Sequence, residues 1–253
     1  MEITFLGTGT SQGVPVIGCD CPVCTSFDPR DNRLRSSILI EYNGKNICID
    51  SGPDFRQQML REDVQKLDAI LYTHEHKDHI AGTDDIRAFN FKQKTPMPMY
   101  CSKRVLEGFK KEFHYVFSGD NYPGIPQFNI QLIDKEPFEF AGIPIIPIEV
   151  MHHKLPVTAF RIKDFTYITD ANYVADEEFE KIKGTKVLVL NALRKTQHIS
   201  HFSLDEALEF IDRIQPERAY LTHISHYFGL HEQEEINLPS NVFLAYDGLH
   251  FLV

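Results

Sequence analysis

Apolar and polar positions along the chain alternate in short strand-like and helix-like runs. Stretches rich in Ile and Phe at residues 2–6, 37–42 and 45–50 predict strands. The last two are joined by Asn43-Gly44, a two-residue hairpin signal. Residues 54–62 predict a helix, with Asp54 after Pro53 as its N-cap. A strand over 67–73 runs straight into a string of histidines, and 103–113 is helical. Strand patterns resume at 130–133, 143–150, 157–162 and 165–169. Helices are predicted at 175–182 and 203–214, the second opening on a Ser203-x-x-Glu206 capping box. Buried-type strands are predicted at 187–190, 218–222 and 242–245. No linker or composition break divides the pattern, so a single α/β domain of mixed sheets covered by helices is expected over 1–253. Two long loops, 7–34 and 117–128, are rich in Gly and Pro and call for a function or a pin.

The chain has 253 residues, with 19 Phe and 10 Tyr to fill a core and no Trp. Its net charge of −10 is unsuited to a long polyanion, whose binding rests on Lys and Arg. No stable nucleic-acid binding is therefore expected, whereas a small anion remains accessible if metal ions supply the positive charge. No apolar run reaches the roughly 18 residues that span a bilayer, and residues 1–7 do not read as a signal peptide. No membrane association and a cytoplasmic location are expected. Of five cysteines, Cys19, Cys21 and Cys24 crowd together, which favours metal binding over a disulfide framework. Cys48 and Cys101 fall at strand positions and read as core.

The chemistry concentrates in Thr73-His74-Glu75-His76-Lys77-Asp78-His79. A strand end followed by a tight turn lets such side chains converge, and imidazole with carboxylate suits Zn, Mn or Fe. Four ligands in one turn exceed one open tetrahedral site and suit two adjacent ions. Further donors stand at later strand ends: His152-His153, Asp170 and His223. The Gly7-Thr8-Gly9…Gly13 stretch lacks the spacing of a dinucleotide fingerprint, and Pro15 follows where a helix should open. It reads as a turn passing close to the site.

The His-x-His-x-Asp-His run, the later His, the strand-end Asp and the final Thr222-His223 resemble the metallo-β-lactamase superfamily, as does the early Asp50-x-Gly52. Cys19-x-Cys21-x-x-Cys24 and Thr222-His223-Ile224-Ser225-His226 resemble a narrower group, the phosphoribosyl 1,2-cyclic phosphate phosphodiesterases. The resemblance implies an αββα sandwich with metals at one edge. It implies His74, His76 and His152 on a first ion, Asp78, His79 and His223 on a second, and Asp170 bridging. His152 is preferred to His153 because His152-His153-Lys154-Leu155 matches the group's His-x-Lys-Leu. Cys19, Cys21, Cys24 and His226 would hold a structural zinc that pins the loop at about 13–35. Asp50 would orient a ligand histidine. Asp78 and His201 are expected in the catalytic set, His201 binding the phosphate or protonating the leaving oxygen.

The function expected is hydrolysis of a small, cyclic phosphodiester by a hydroxide shared between two divalent ions, Mn or Zn. The alternatives are a tRNA 3′-processing nuclease, a thioester or lactam hydrolase, and a non-hydrolytic relative from cofactor biosynthesis. The group's habit also implies a homodimer.

Overall fold

The computed structural model describes residues 1–119 and 122–253. Of the expected loop over 117–128, Asp120 and Asn121 lie outside the described residues. Strands β1 (Glu2–Gly7), β2 (Ser37–Tyr42), β3 (Lys45–Ile49), β4 (Ala69–Leu71), β5 (Met97–Cys101) and β6 (Phe128–Leu132) form one sheet in chain order. The second sheet takes β7 (Phe138–Phe140), β8 (Ile143–His152), β9 (Leu155–Ile162), β10 (Phe165–Ile168), β11 (Tyr173–Val174), β12 (Val187–Asn191), β13 (Arg218–Thr222) and β14 (Val242–Leu244). The last strand, β15 (His250–Leu252), returns to the first sheet and pairs with β1.

Each sheet begins as an antiparallel meander and continues as parallel strands. Parallel strands need crossovers, and helices supply most of them. In the first half these are α1 (Phe55–Arg61), α2 (Lys77–Ile80), α3 (Arg87–Gln93), α4 (Lys103–Glu112) and α5 (His114–Phe117); in the second, α6 (Asp176–Ile182), α7 (Leu204–Ile214) and α8 (His231–Glu235).

The alternation of side chains along the strands explains the layering. On β2, Ile38 and Ile40 pack between the sheets, while Leu39 packs outward with Phe55 of α1 and Phe109 of α4. On β12, Val187 and Val189 face the inter-sheet layer, and Leu188 and Leu190 face Phe179 of α6 and Phe210 of α7. A strand covered on both faces must be apolar throughout, which accounts for the unbroken Val-Leu-Val-Leu run. The order is therefore helices, sheet, sheet, helices: the expected αββα sandwich. Cys48 and Cys101 are buried in strands. No helix among the described residues is long and apolar enough to cross a membrane.

Local signals hold where the physics is local. Asn43 and Gly44 both take positive φ, as a primed hairpin turn needs. Ser203 and Glu206 form the capping box. Asp54 precedes α1 but does not cap it with its side chain; its carboxylate instead binds the Arg35 backbone N–H at 2.8 Å and the Arg35 guanidinium at 3.1 Å. The expected patterns pass over β5, which contains Pro98 yet runs between two parallel neighbours.

Candidate metal centre

The site forms at one edge of the sandwich, where the parallel strands end. Asp50 follows β3, His74 follows β4 closely, Asp170 follows β10 and His223 follows β13. Asp50, Asp170 and His223 all take left-handed backbone conformations, with φ of 64°, 54° and 57°. A non-glycine residue held there costs about 1–3 kcal/mol, which the surrounding structure must offset. Around Asp170 the holder is Asn191 at the end of β12. Its fully buried amide accepts from the Ala171 N–H at 2.8 Å and donates to the Ala171 carbonyl at 2.9 Å.

Four histidines have the proton position fixed by what surrounds Nδ1. His79 Nδ1 donates to Asp50 Oδ2 at 2.6 Å. His152 Nδ1 donates to the Ser200 carbonyl, which can only accept, at 2.8 Å. His223 Nδ1 lies 3.1 Å from Ser36 Oγ, whose own hydrogen goes to the Gly9 carbonyl at 2.9 Å. His74 Nδ1 lies 3.0 Å from Thr73 Oγ1, which donates to Asp50 Oδ2 at 2.8 Å. In each ring the neutral tautomer then carries its lone pair on Nε2, the arrangement that prepares a histidine to ligate.

On His79 and His223 that lone pair faces carboxylate oxygens. His79 Nε2 is buried without a hydrogen-bond partner, 3.2 Å from both Asp78 Oδ2 and Asp170 Oδ2. His223 Nε2 lies 3.3 Å from Asp170 Oδ1. His74 Nε2 lies 3.0 Å from His76 Nδ1. A neutral nitrogen facing two carboxylates needs a cation between them, either a proton or a metal ion. The donor set fits a divalent metal: buried imidazoles and carboxylates within reach of one another.

The electrostatics agree. Burial alone would push His79 down, but Asp78, Asp170 and Asp50 outweigh it and hold the metal-free imidazole well above its ordinary value. Burial would raise Asp170, yet His223 and His79 hold it well below the carboxylate range. Asp78 is lowered in the same way, chiefly by His79 against its burial. His74, His76 and His223 are all pushed down by burial, so they are neutral at pH 7.

The sequence-predicted residues separate into two degrees of closeness. Ligand atoms of Asp78, His79, Asp170 and His223 lie within 4.8 Å of one another. The other expected set is looser, because the His152 ring is 5.2 Å from His76 and 6.0 Å from His74. His152 packs more tightly on His201, at 4.5 Å, and forms a group with Asp170 and His201. His153 is exposed at a positive φ of 57°, turned into the β8–β9 hairpin. His201 Nδ1 is buried and unpartnered, 3.9 Å from Asp170 Oδ1. Burial lowers His201 to about 3.

Sequence reasoning gave no role to Thr73, which opens the histidine run, and missed Ser36, Ser200 and Asn191, which carry no pattern of their own. The glycine turn does run beside the site: Thr10 Oγ1 lies 3.4 Å from His223 Nε2, and Gly9 bridges to Ile224.

A second cluster joins the N-terminal loop to the segment after β13. His226 Nδ1 lies 3.3, 3.5 and 3.4 Å from the sulfurs of Cys19, Cys21 and Cys24. One N–H cannot serve three thiols, whereas a thiolate-rich tetrad is what zinc takes. The Cys24 amide lowers Cys21 to about 6, and burial pushes Cys24 up to about 11. The same loop is held by Arg33, which is buried and donates to Thr8 Oγ1 and the Ala245 carbonyl.

Residues 45–224 match the family model described as beta-lactamase superfamily domain. A crystal structure described as a new diphosphatase from the PhnP family is 38% identical, covering 99% of this chain and 96% of its own, with a TM-score of 0.93. The chain belongs to the PhnP family of the beta-lactamase superfamily. The superfamily is one of metal-dependent hydrolases, and the cluster around Asp170 is where such chemistry would sit in this member. A protein from Porphyromonas gingivalis named octanoyltransferase is also 38% identical over 256 residues, all of this chain but only 52% of that protein. This chain thus spans about half the length of that relative. The zinc-bound PqqB structure from Methylobacterium extorquens shares the fold across the whole chain, at 18% identity and a TM-score of 0.79.

Proposed function

We propose that this PhnP-family member is a phosphodiesterase that hydrolyses a small, cyclic phosphodiester at two divalent metal ions. His74, His76 and His152 would hold one ion, Asp78, His79 and His223 the other, and Asp170 both. The observation that carries the reading is His201. It stands unpartnered beside Asp170, His152 and His223, yet is surplus to a ligand set already complete without it. A buried N–H at that place suits a phosphoryl oxygen. Two such ions, Zn or Mn, supply Lewis acidity and lower the pKa of water.

The chain's own groups do the positioning. Asp50 and Ser36 hold His79 and His223 with Nε2 inward, and the Ser200 carbonyl does the same for His152. His201, which burial keeps neutral before substrate binds, donates an N–H to a non-bridging phosphoryl oxygen; protonating the departing oxygen requires that the bound phosphate first charge the imidazole. A third metal ion, zinc on Cys19, Cys21, Cys24 and His226, would pin the loop at about 13–35 against the segment carrying His223. The net charge of −10 favours a small substrate over a polynucleotide.

Acyl chemistry is the competing reading, since one relative is named octanoyltransferase, but about half of that protein has no counterpart here. His201→Ala separates the possibilities. The variant should keep its metals and lose about 10²–10⁴-fold on an alkyl phosphodiester. If His201 protonates the leaving group, the loss on a p-nitrophenyl ester is much smaller; if it binds the phosphoryl group, both fall alike. Unchanged kinetics on both substrates in fully metallated protein would remove His201 from the site and favour the acyl reading.

A further inference from the structure

His152 stands at the end of β8, and its ring depends on a carbonyl 48 residues away, that of Ser200. One side chain spans the gap between these two segments. Asn172 Oδ1 accepts from the His153 backbone N–H at 2.8 Å, and its Nδ2 donates to the Ile199 carbonyl at 3.1 Å. His153 directly follows His152, and Ile199 directly precedes Ser200. The amide therefore ties the backbone beside the imidazole to the backbone beside its acceptor. A backbone N–H only donates and a carbonyl only accepts, so this tie needs an acceptor and a donor on one short arm, which an Asn amide provides.

The arm has a fixed base. The Asn172 N–H donates to the Met151 carbonyl at 2.9 Å, and β11 continues antiparallel to β8 with Tyr173 opposite Met151. On the other side, Ala171 is clasped by the Asn191 amide, and its carbonyl also accepts from the Phe202 N–H at 2.8 Å. His153 takes a left-handed φ of 57°, which a non-glycine residue keeps only when its surroundings hold it, and the bond to Asn172 is made at its N–H.

We propose that Asn172 is a positioning residue for His152 and, through it, sets the affinity of the ion assigned to His74, His76 and His152 without setting that of the other. The metal consequence rests on the two-ion reading, whereas the link from Asn172 to the His152 ring is a property of the chain alone. With the amide gone, the Ser200 carbonyl is free to leave His152 Nδ1, and the ring is free to turn or to change tautomer. The groups behind the second ion are held elsewhere. Asp50 serves His79 and Ser36 serves His223, and neither is hydrogen-bonded to Asn172 among the described residues.

The test compares Asn172→Ala and Asn172→Asp with the wild-type chain. Ala removes both bonds; Asp keeps the acceptor for the His153 N–H and sets a carboxylate oxygen against the Ile199 carbonyl. Exchange of the His152 Nδ1–H with solvent is followed by NMR in metal-free and in zinc-loaded protein. It should speed up by about five- to ten-fold in both variants, as the loss of roughly one ordinary hydrogen bond implies, with the His79 Nδ1–H unchanged. In chelator competition one ion should be held about ten-fold more weakly and the other as in the wild type, ten-fold being the lower end of what a group behind a metal-bound histidine contributes. Equal weakening of both ions together with a lower melting temperature would reduce Asn172 to a structural residue and overturn the proposal. So would wild-type exchange of the His152 Nδ1–H in either variant. Wild-type protein that takes up fewer than two ions besides the cysteine-bound zinc would refute the two-ion reading, and exchange in the metal-free protein would still decide for or against Asn172.

Discussion

Replacing Asp50 by Asn keeps the shape of the side chain and changes only which hydrogen bonds it can make. Asp50 is fully buried and accepts three: from the Thr73 N–H at 2.9 Å, from Thr73 Oγ1 at 2.8 Å and from His79 Nδ1 at 2.6 Å. A backbone N–H cannot reverse, so the amide oxygen must take the Oδ1 place and the NH₂ the Oδ2 place. His79 then meets a donor at Nδ1 and has to move its proton to Nε2. That is the atom between Asp78 and Asp170, so the variant loses a ligand without losing a ligand residue. A hydrogen bond to a charged group contributes about 1.5–3 kcal/mol, which corresponds to roughly 10–100-fold in metal affinity. The same range is typical of removing a carboxylate behind a metal-bound histidine. Competition with a chromophoric chelator measures it directly. Asp50→Asn protein that binds both ions with wild-type affinity would show that the His79 tautomer is not set by Asp50.

Ser36→Ala removes the acceptor behind His223 and should weaken metal binding by about ten-fold with little change in thermal stability, checked by the same chelator competition. Cys21→Ser should release one zinc per chain and lower the melting temperature by roughly 5–10 °C, as a loss of about 2–3 kcal/mol does at this chain length. Unchanged zinc content and melting temperature would dismiss the zinc-pinned loop. Metal-stripped protein should lose stability as the pH falls from 7 to 5. His201, His74 and His223 have folded pKa values below the unfolded 6.5, so the unfolded chain takes up protons that the native chain refuses. For His201, lowered to about 3, this amounts to about 2 kcal/mol over that window. His79, raised instead, contributes stability that is full below 6.5 and opposes the change only above it. Urea midpoints at the two pH values test the sign.

The layers of the fold were legible because the side-chain period and the burial pattern coincide. The four residues Val187 to Leu190 are apolar on both faces, and the structure covers both. What the pattern missed depends on tertiary context. Met97–Cys101 is interrupted by Pro98, and its place in a parallel sheet is fixed by neighbours far along the chain. The histidine run was legible because its ligands lie within six residues. The groups that fix the proton on each ring were not: Ser36 and Ser200 reach their histidines from 187 and 48 residues away. Neither carries a motif.

The assignment of the cluster around Asp170 as a pair of metal sites for phosphodiester hydrolysis stands or falls on metal-dependent turnover. Its most direct test is to restore metal stepwise to chelator-treated protein that retains its cysteine-bound zinc, following bis(p-nitrophenyl) phosphate turnover against bound metal. No turnover is expected in the stripped protein, and full activity is expected at two further equivalents of Zn or Mn per chain. Full occupancy without turnover of this diester, accompanied by hydrolysis of a thioester or lactam, would contradict it.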